Sequence, residues 1–362
     1  MTATPSHKLG ITLAGVLALI VLPAHAALDY FGTTGNEFAI DFVTIGNPGN
    51  ADDAGAGGGS YSSPYGGVSY AYRMGTYEIS QDAITKATAS GLANVTAGAW
   101  TGNQPAANMT WYEAAAFVNW LNTSTGHQAA YNLSQIPPDG SGNTWSMTLW
   151  SSGQAWQTDG QNLYRHKDAY YFLPSEDEWY KAAFHKNDGV TANYWDYATA
   201  SNTIPTAVGS GTGSGTAVHS RPAPPAAVNN DGGLSAYGTM GQDGNVWEWQ
   251  ESALTAPNNI ESGDRVIRGG NWSASENFLR SSTRLSIPPF GGGNNVGFRV
   301  ASADVGIGSI PEPSTAIFGF GISLIGVLRR RRGLALQPSA PALLQAHCFS
   351  FPTRLRSQGQ QS

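Results

Sequence analysis

A glutamate between two tryptophans is the feature that most constrains this fold. The stretch Gly244–Trp249 reads GNVWEW and places Glu248 between two indole side chains. Indoles bury well, whereas a carboxylate buried among them loses its water and needs a partner. An arginine such as Arg268 or Arg299, backbone N–H groups or a hard cation would each satisfy it. The fold must therefore bring at least one of these partners to Glu248.

The body of the chain is acidic and rich in loops. Seven of the 19 lysines and arginines lie in the terminal segments but only one of the 25 acids does, so residues 27–308 carry 12 basic and 24 acidic side chains. This net charge of −12 repels nucleic acid and suits cations. The 45 glycines indicate irregular backbone, while 41% hydrophobic residues can build a substantial core. The single cysteine, Cys348, lies outside the body, which excludes a disulfide framework there.

The first 26 residues have the pattern of a signal peptide. Lys8 precedes an uncharged apolar run, Leu9–Leu22, and Ala24-His25-Ala26 is a small-residue cleavage site. The apolar run is too short to cross a bilayer. We therefore expect residues 1–26 to be removed by cleavage after Ala26.

The C-terminal segment combines three features in order. Pro311-Glu312-Pro313 precedes an apolar run, Ala316–Leu328, and then four arginines at 329–332. The arginines would hold the cytoplasmic side of a short membrane segment, although the run falls short of the roughly twenty residues of a full span. A plain membrane anchor is one interpretation. Residues 334–362 lack periodicity, which predicts a disordered tail.

The same order resembles the PEP-CTERM sorting signal, here over residues 309–333. The resemblance implies export across the inner membrane and a membrane-anchored precursor. It also implies that exosortase, a membrane protease, cuts near the Pro-Glu-Pro sequence. The mature protein would then be held at the cell surface or released.

Strand patterns and loop patterns alternate along the body. Phe38–Ile45 and Tyr70–Ile79 alternate as strands do, and the second ends at Ser80, an N-cap for a short helix. Gly46–Gly67 is rich in Gly, Ser, Asn and Asp, which predicts a surface loop. Asn187–Tyr237 is similarly poor in apolar clusters and is predicted to be loops of the same domain.

Two helices carry a capping box. Thr110 lies three residues before Glu113, and Ser175 lies three residues before Glu178. Apolar residues follow each box at the 3.6-residue period of a helix. Acids in the first turn of the second helix are expected to stabilise its N-terminus rather than to catalyse a reaction.

Two further motifs accompany GNVWEW: Arg268–Trp272 reads RGGNW and Gly297–Arg299 reads GFR. Together they resemble the formylglycine-generating enzyme, or sulfatase-modifying factor, family, whose pattern is GN(V/A)WEW, RGGSW and GFR. The two capped helices also match, so the resemblance covers about Phe38–Ser302. It implies an α+β fold, the formylglycine-generating enzyme type of C-type lectin-like fold. We expect one loop-rich domain over residues 27–308.

The resemblance also predicts which positions would hold copper. Family members that oxidise a substrate cysteine bind copper(I) with two cysteines after the paired glycines, and a soft monovalent copper prefers thiolate sulfur. Counted from Gly269, these positions are Ala274 and Leu279, unless the second falls in a deletion before Arg284. Neither side chain binds a metal, so no copper is expected. The four histidines of the body form no zinc or iron motif: His127, His166, His185 and His219.

Calcium is the cofactor that the resemblance leaves open, at two sites with hard oxygen ligands. At the first, the Asn193 side chain and the Tyr194 carbonyl would bind, with Asp231 as a candidate for the remaining carboxylate. At the second, the family's asparagine is replaced by Gly241, and Asp243 is the side chain that could supply its oxygen. The other ligands of the second site would be the backbone carbonyls of Gly244 and Val246 and the side chain of Glu248.

These patterns favour a secreted, exosortase-sorted binding module without oxidase chemistry. Its ligand would be a peptide or a glycan at the cell surface. The alternative is a formylglycine-generating-type oxidoreductase, or another enzyme of the family, that works by a thiol-independent route. A third possibility is a structural matrix protein with no saturable ligand.

Overall fold

The computed structural model describes residues 27–53, 55, 64–96, 98–137, 144–222 and 224–304. All of them belong to one compact unit, which ends at Ser309. The predicted signal peptide, sorting signal and C-terminal tail lie outside the described residues. Among the residues described, no helix is long and apolar enough to cross a membrane.

Fifteen short strands and three α-helices make up the regular structure of the described residues. The first strands are β1 (Ala27–Phe31), β2 (Phe38–Ile45), β3 (Tyr72–Gly75), β4 (Asn132–Gln135), β5 (Trp145–Thr148), β6 (Ala155–Trp156), β7 (Asn162–His166) and β8 (Tyr171–Phe172). The later strands are β9 (Thr206–Ala207), β10 (Thr216–Ala217), β11 (Trp247–Ala253), β12 (Arg265–Arg268), β13 (Leu285–Ile287), β14 (Val296–Gly297) and β15 (Ala301–Ala303). The helices are α1 (Gln81–Ala89), α2 (Trp111–Ser124) and α3 (Glu176–Phe184).

All three helices begin where their capping residues predict. Ser80, Thr110 and Ser175 each accept a hydrogen bond from the backbone N–H three residues later, which satisfies one of the free donors of a helix start. The reciprocal bond from the glutamate side chain completes the capping box of α2 and of α3. The predicted starts are confirmed.

Two sheets organise the body. A five-stranded sheet has the order β1-β2-β3-β15-β8, and its β15 is the last strand of the body. A four-stranded sheet has the order β13-β12-β11-β14, in which β11 runs antiparallel to β12 and parallel to β14. In this second sheet Glu248 stands opposite both Arg268 and Gly297, so all three sequence motifs meet there.

The start of α2 is tied to β11 by two indoles. The Trp111 Nε1–H donates to the Gln250 carbonyl at 2.9 Å, and the Trp249 Nε1–H donates to the Met109 carbonyl at 3.1 Å. Both tryptophan side chains are fully buried. Burial of such large rings contributes much of the apolar stabilisation, and the two bonds satisfy their only polar atoms.

The strand predicted at Tyr70–Ile79 is shorter in the structure, where β3 covers only Tyr72–Gly75. Beyond β3 the carbonyls of Gly75 and Thr76 accept hydrogen bonds from the Arg299 guanidinium. Beyond Gly75 the Thr76 and Ile79 N–H groups donate to the Asp41 and Phe298 carbonyls, so isolated backbone bonds and a buried arginine follow β3 in place of a continuous ladder. Phe38–Ile45 is confirmed as β2, and in the described part of Asn187–Tyr237 the only strands are the two-residue β9 and β10.

Candidate functional site

Glu248 forms a buried ion pair with Arg299. Its Oε2 accepts from the Arg299 Nε–H at 2.6 Å and from the Trp179 Nε1–H at 2.8 Å, and its Oε1 accepts from Arg299 Nη2 at 2.6 Å. Glu248 and Arg299 are fully buried. Charge-assisted bonds in this two-pronged geometry are among the strongest in proteins. The carboxylate between the tryptophans is thus neutralised inside the fold.

A second buried carboxyl pair adjoins this ion pair. The Asn245 amide donates to Glu78 Oε2 at 2.6 Å and to Asp231 Oδ2 at 3.1 Å. Burial raises the pKa of Asp231 to about 8, with Glu248 adding to the rise and Arg299 opposing it. Burial, followed by the charge of Asp231, also raises the pKa of Glu78 well above its usual value. Two carboxyl groups this close retain a proton near neutral pH.

Three arginines and three glutamates form the arginine–glutamate cluster, which consists of Arg165, Arg268, Arg284, Glu176, Glu178 and Glu251. Glu176 accepts from Arg268 and from Arg284 at 2.6 to 3.0 Å. Arg165 pairs with Glu178 at 2.7 Å and with Glu251 at 2.8 Å. Through these contacts Glu176, in the first turn of α3, joins β12 and the segment before β13 to the helix.

A cleft of about 370 Å³ lies over this cluster. One side is formed by the turn between β6 and β7, another by the first turn of α3, and a third by the loop that follows β11. The lining is both aromatic and polar, and it includes Tyr65, Tyr70, Trp156, Asp159, Gln161, Asn162, Arg165, Glu176, Asp177, Ser252, Asn258 and Arg284. A concave site with convergent polar groups is where a protein of this size binds small ligands.

Two aspartates in the cleft stand apart from the arginine–glutamate cluster. Asp177 Oδ1 accepts from the Gly66 N–H at 3.0 Å, and Asp159 Oδ2 accepts from the Ser69 N–H at 2.9 Å. Neither has an ion-pair partner among the described residues. Burial raises the pKa of Asp177 to about 7, and the Gly66 bond opposes that rise. Asp177 therefore changes charge near neutral pH.

The positions predicted for the copper ligands lie on one short segment. Ala274 is half-buried, whereas Leu279 is fully buried and packs with Tyr197 and Ala217. The Leu279 side chain also lies against the Gly270 backbone, where an added Cβ would meet it at 2.7 Å. Neither position presents a donor atom on its side chain.

The predicted calcium ligands are distributed over two regions. Asn193 is exposed and donates to Asp188 at 2.8 Å, and the Tyr194 hydroxyl donates to the Ala51 carbonyl. Gly244, Val246 and Glu248 are all buried. The described residues contain no group of three or more His, Cys, Asp or Glu side chains placed to hold a metal ion. With Arg299 on its carboxylate, Glu248 fits poorly as a calcium ligand, and calcium stays a prediction.

Two buried oxygen atoms near Gly244 are nonetheless candidates for metal ligands. Asp243 Oδ1 and the Thr199 hydroxyl are buried and have no hydrogen-bond partner in the described part of the chain. Asp243 Oδ2 accepts from the Thr199 N–H at 3.1 Å, and burial raises the pKa of Asp243 to about 7. The Thr199 side chain can donate to Asp243 and opposes the rise of its pKa, and a bound cation or water would satisfy the acceptor capacity that is left.

Comparison with known families agrees with the motifs. The family model of the sulfatase-modifying factor enzyme 1-like domain matches residues 58–304. The chain belongs to this family. A second model, that of the PEP-CTERM protein-sorting motif, matches residues 309–332. This sulfatase-modifying factor-like protein is therefore exported across the inner membrane as a membrane-anchored precursor, sorted by exosortase, and placed at the cell surface or outside the cell.

One solved structure supports the fold of the sulfatase-modifying factor-like body, and a second is reported for its similarity alone. The Treponema denticola variable protein 1 is similar to it with a TM-score of 0.53 and 20% identity, over 77% of this chain and 100% of that one. PvdO from Pseudomonas aeruginosa is similar with a TM-score of 0.46 and 16% identity, over 76% of this chain and 98% of that one. A search of curated proteins finds no match. The α+β, loop-rich C-type lectin-like fold expected from the sequence is confirmed.

Sequence reasoning missed the cleft and the residue beneath it. Arg165 has no motif around it, and it is 1% exposed in β7 with its guanidinium carbon 3.7 Å from the centre of the Phe172 ring. One signal was available: an arginine within an otherwise uncharged short strand needs a carboxylate if it is buried. Nothing in the sequence indicates which of the 24 acids of the body supplies it.

Proposed function

We propose that this protein is a non-catalytic binding module that holds a peptide or a glycan at the cell surface or in the extracellular matrix. The cleft over the arginine–glutamate cluster would be the ligand site. The acidic surface makes nucleic acid an unsuitable partner, because like charges repel.

The observation that carries the proposal is the absence of sulfur donors where the family's oxidising members place them. Ala274 and Leu279 stand at these positions, and Leu279 is packed into the fold beside Tyr197. Copper(I) needs soft ligands, and the body contains no cysteine. A scaffold that keeps its framework of buried ion pairs but has no cysteine thiolate retains shape for recognition without the copper chemistry of its oxidising relatives.

The decisive experiment measures copper binding and oxygen use together. Full-length protein in detergent is titrated with copper(I), and oxygen uptake is followed with a cysteine-containing sulfatase peptide as the substrate. We expect no stoichiometric copper and no turnover. A formylglycine aldehyde in the peptide, detected by mass spectrometry, would overturn the proposal.

A thiol-independent enzyme of the family is the second candidate, and Asp177 is the observation in its favour. A carboxyl whose pKa is raised to about 7 can both donate and accept a proton at neutral pH. Such an enzyme would convert a ligand bound in the cleft. Product formation that is lost in Asp177→Asn would support this candidate over simple binding.

Calcium is also part of the proposal, through Asp243 and the buried oxygens near Gly244 rather than through Glu248 alone. Titration of chelated protein with CaCl₂ should raise the melting temperature, since a ligand that binds only the folded state stabilises it. Mg²⁺ at equal concentration is the control, because it demands a tighter octahedral shell. Equal melting temperatures with calcium and with chelator would remove calcium from the proposal.

A further inference from the structure

We propose that the cleft binds a glycan bearing unacetylated amino sugars, through Asp159, Asp177 and an aromatic side formed by Tyr65, Tyr70 and Trp156. This inference rests on the proposed binding function and names its class of ligand.

The charges around the cleft leave a local excess of negative charge. Within the arginine–glutamate cluster, three guanidinium groups pair with three carboxylates, so that the cluster is neutral as a whole. Asp159 and Asp177 remain, and both line the cleft. The Lys181 ammonium acts on Asp159 from beyond ion-pair distance, so Asp177 is the carboxyl that most lacks a cationic partner. An ammonium group on a ligand would supply the missing partner, in a partly desolvated place where charge-assisted bonds are strongest.

Asp177 has a free acceptor for such a group. Its Oδ1 accepts the Gly66 N–H, while its Oδ2 makes no hydrogen bond to any described residue. Burial disfavours the ionised form of this carboxyl and raises its pKa. A cation bound at Oδ2 would lower that pKa again, so binding and ionisation of Asp177 favour each other.

The remaining lining suits a sugar ring better than the stem of a lysine. Trp156 is half-buried and meets Tyr70 edge-on, with ring centroids 5.2 Å apart, so aromatic surface borders the cleft. Aromatic rings pack against the C–H face of a sugar. The Arg165 guanidinium already lies over the Trp156 ring at 5.7 Å, so the ring would pack against the sugar while an aspartate binds its ammonium. The side chains of Thr158 and Gln161 line the cleft, are exposed and make no hydrogen bond among the described contacts. They are therefore free to bind hydroxyl groups.

The test uses isothermal titration of the full-length protein in detergent with three probes at about pH 7. The probes are a fully deacetylated β-1,4-glucosamine hexamer, the N-acetylated hexamer of the same length, and hexalysine. We expect the amino hexamer to bind at least tenfold more tightly than either of the others. Equal affinity for the N-acetylated hexamer would overturn recognition of the amine, and equal affinity for hexalysine would overturn recognition of the sugar.

Variants then locate the site. Asp177→Asn keeps an oxygen to accept from Gly66, and Asp159→Asn keeps one to accept from Ser69, but each variant removes a negative charge. Each should lower the affinity for the amino hexamer at least fivefold. Asp196→Asn is the matched control, since Asp196 is exposed and outside the cleft lining. Melting temperatures within the control's range would show that the variants are folded. Unchanged binding in both cleft variants would overturn the assignment to this cleft.

The outcomes also separate this inference from the proposed function. Saturable binding of a neutral glycan or a peptide, without binding of the amino hexamer, defeats the inference and leaves the binding module intact. Conversion of the sulfatase peptide by the copper-loaded protein defeats the proposed function whatever the glycan result. Absence of binding to the amino hexamer defeats the inference.

Discussion

At the scale of single residues, buried ion pairs that exclude water connect the segments of the interior. Arg299 is the clearest case, because its guanidinium joins Glu248 to the carbonyls of Gly75, Thr76 and Met240. Burying two charges costs free energy, which the mutual attraction and the added hydrogen bonds offset. Such a pair contributes little when intact, but breaking it leaves an uncompensated buried charge.

Replacing Arg299 should therefore destabilise the protein strongly. We expect Arg299→Met to lower the free energy of unfolding by about 3–5 kcal/mol, because Glu248 is left buried with only the Trp179 N–H and no positive charge beside it. Urea denaturation followed by tryptophan fluorescence measures the change. Arg280→Met is the control, since Arg280 is exposed and lies over the Tyr197 ring.

The double variant Glu248→Gln/Arg299→Met distinguishes charge from shape. If the unpaired charge is the cause, the double variant should be more stable than Arg299→Met alone. A double variant that is less stable than the single one would contradict this explanation.

The pair Glu78–Asp231 predicts how stability changes with pH. Asp231 has a folded pKa of about 8 against a usual value of 3.8, so the folded state holds a proton that the unfolded state releases. Its contribution is fully present below the unfolded pKa and is lost as pH rises towards the folded value. We expect the free energy of unfolding to fall between about pH 5 and pH 8.

Asp231→Asn should flatten this dependence. The Asn oxygen can still accept from the Asn245 amide, and the titrating carboxyl is removed with little change in side-chain size. Urea denaturation at several pH values would compare the slopes. An identical slope in the variant would mean that another group, such as Asp177 or Asp243, causes the decline.

At the scale of elements, glycines allow the tight backbone turns that lead into the strands. Gly244 precedes β11 with a φ of +99°, and an added Cβ would collide with the Val218 carbonyl. The position therefore requires glycine both for its conformation and for its space. This close approach explains why the GNVWEW motif begins with a glycine.

Gly244→Ala should be far more damaging than Gly211→Ala. Gly211 also has a positive φ, +126°, but nothing lies within 4 Å of an added Cβ, so this variant isolates the conformational penalty. We expect about 1–2 kcal/mol for Gly211→Ala and at least twice that for Gly244→Ala. Melting curves of the two variants give the comparison, and equal losses would contradict the steric argument.

The elements also show what the sequence could predict. Local signals sufficed for the helix starts at Ser80, Thr110 and Ser175, because a cap acts within four residues of itself. The limits of β3 depended on Arg299, more than 220 residues away, and could not be read locally. The cleft was hidden for the same reason, since α3 and the β6–β7 turn meet only after folding. The chemistry of a buried carboxylate named Arg268 and Arg299 as possible partners of Glu248, but only the structure shows that Arg299 is the partner and that Arg268 pairs with Glu176.

At the scale of the whole molecule, sorting predicts two new chain ends. Cleavage after Ala26 and near Pro311-Glu312-Pro313 would leave a mature chain of roughly residues 27–310, without the arginines at 329–332. Intact-mass and terminal-peptide spectrometry of the protein from wild-type cells and from cells without exosortase would measure both ends. Retention of the tail in wild-type cells would contradict processing at this motif.

The position of β15 has a consequence for when the exported body can fold. β15 contributes the last paired residues, Ala301–Ala303, yet it lies in the interior of its sheet, between β3 and β8. When the polypeptide crosses the inner membrane N-terminus first, β15 is therefore the last strand of the body to arrive. Until then β3 and β8 lack the strand that joins them, and their unpaired edges are open to contacts with other chains.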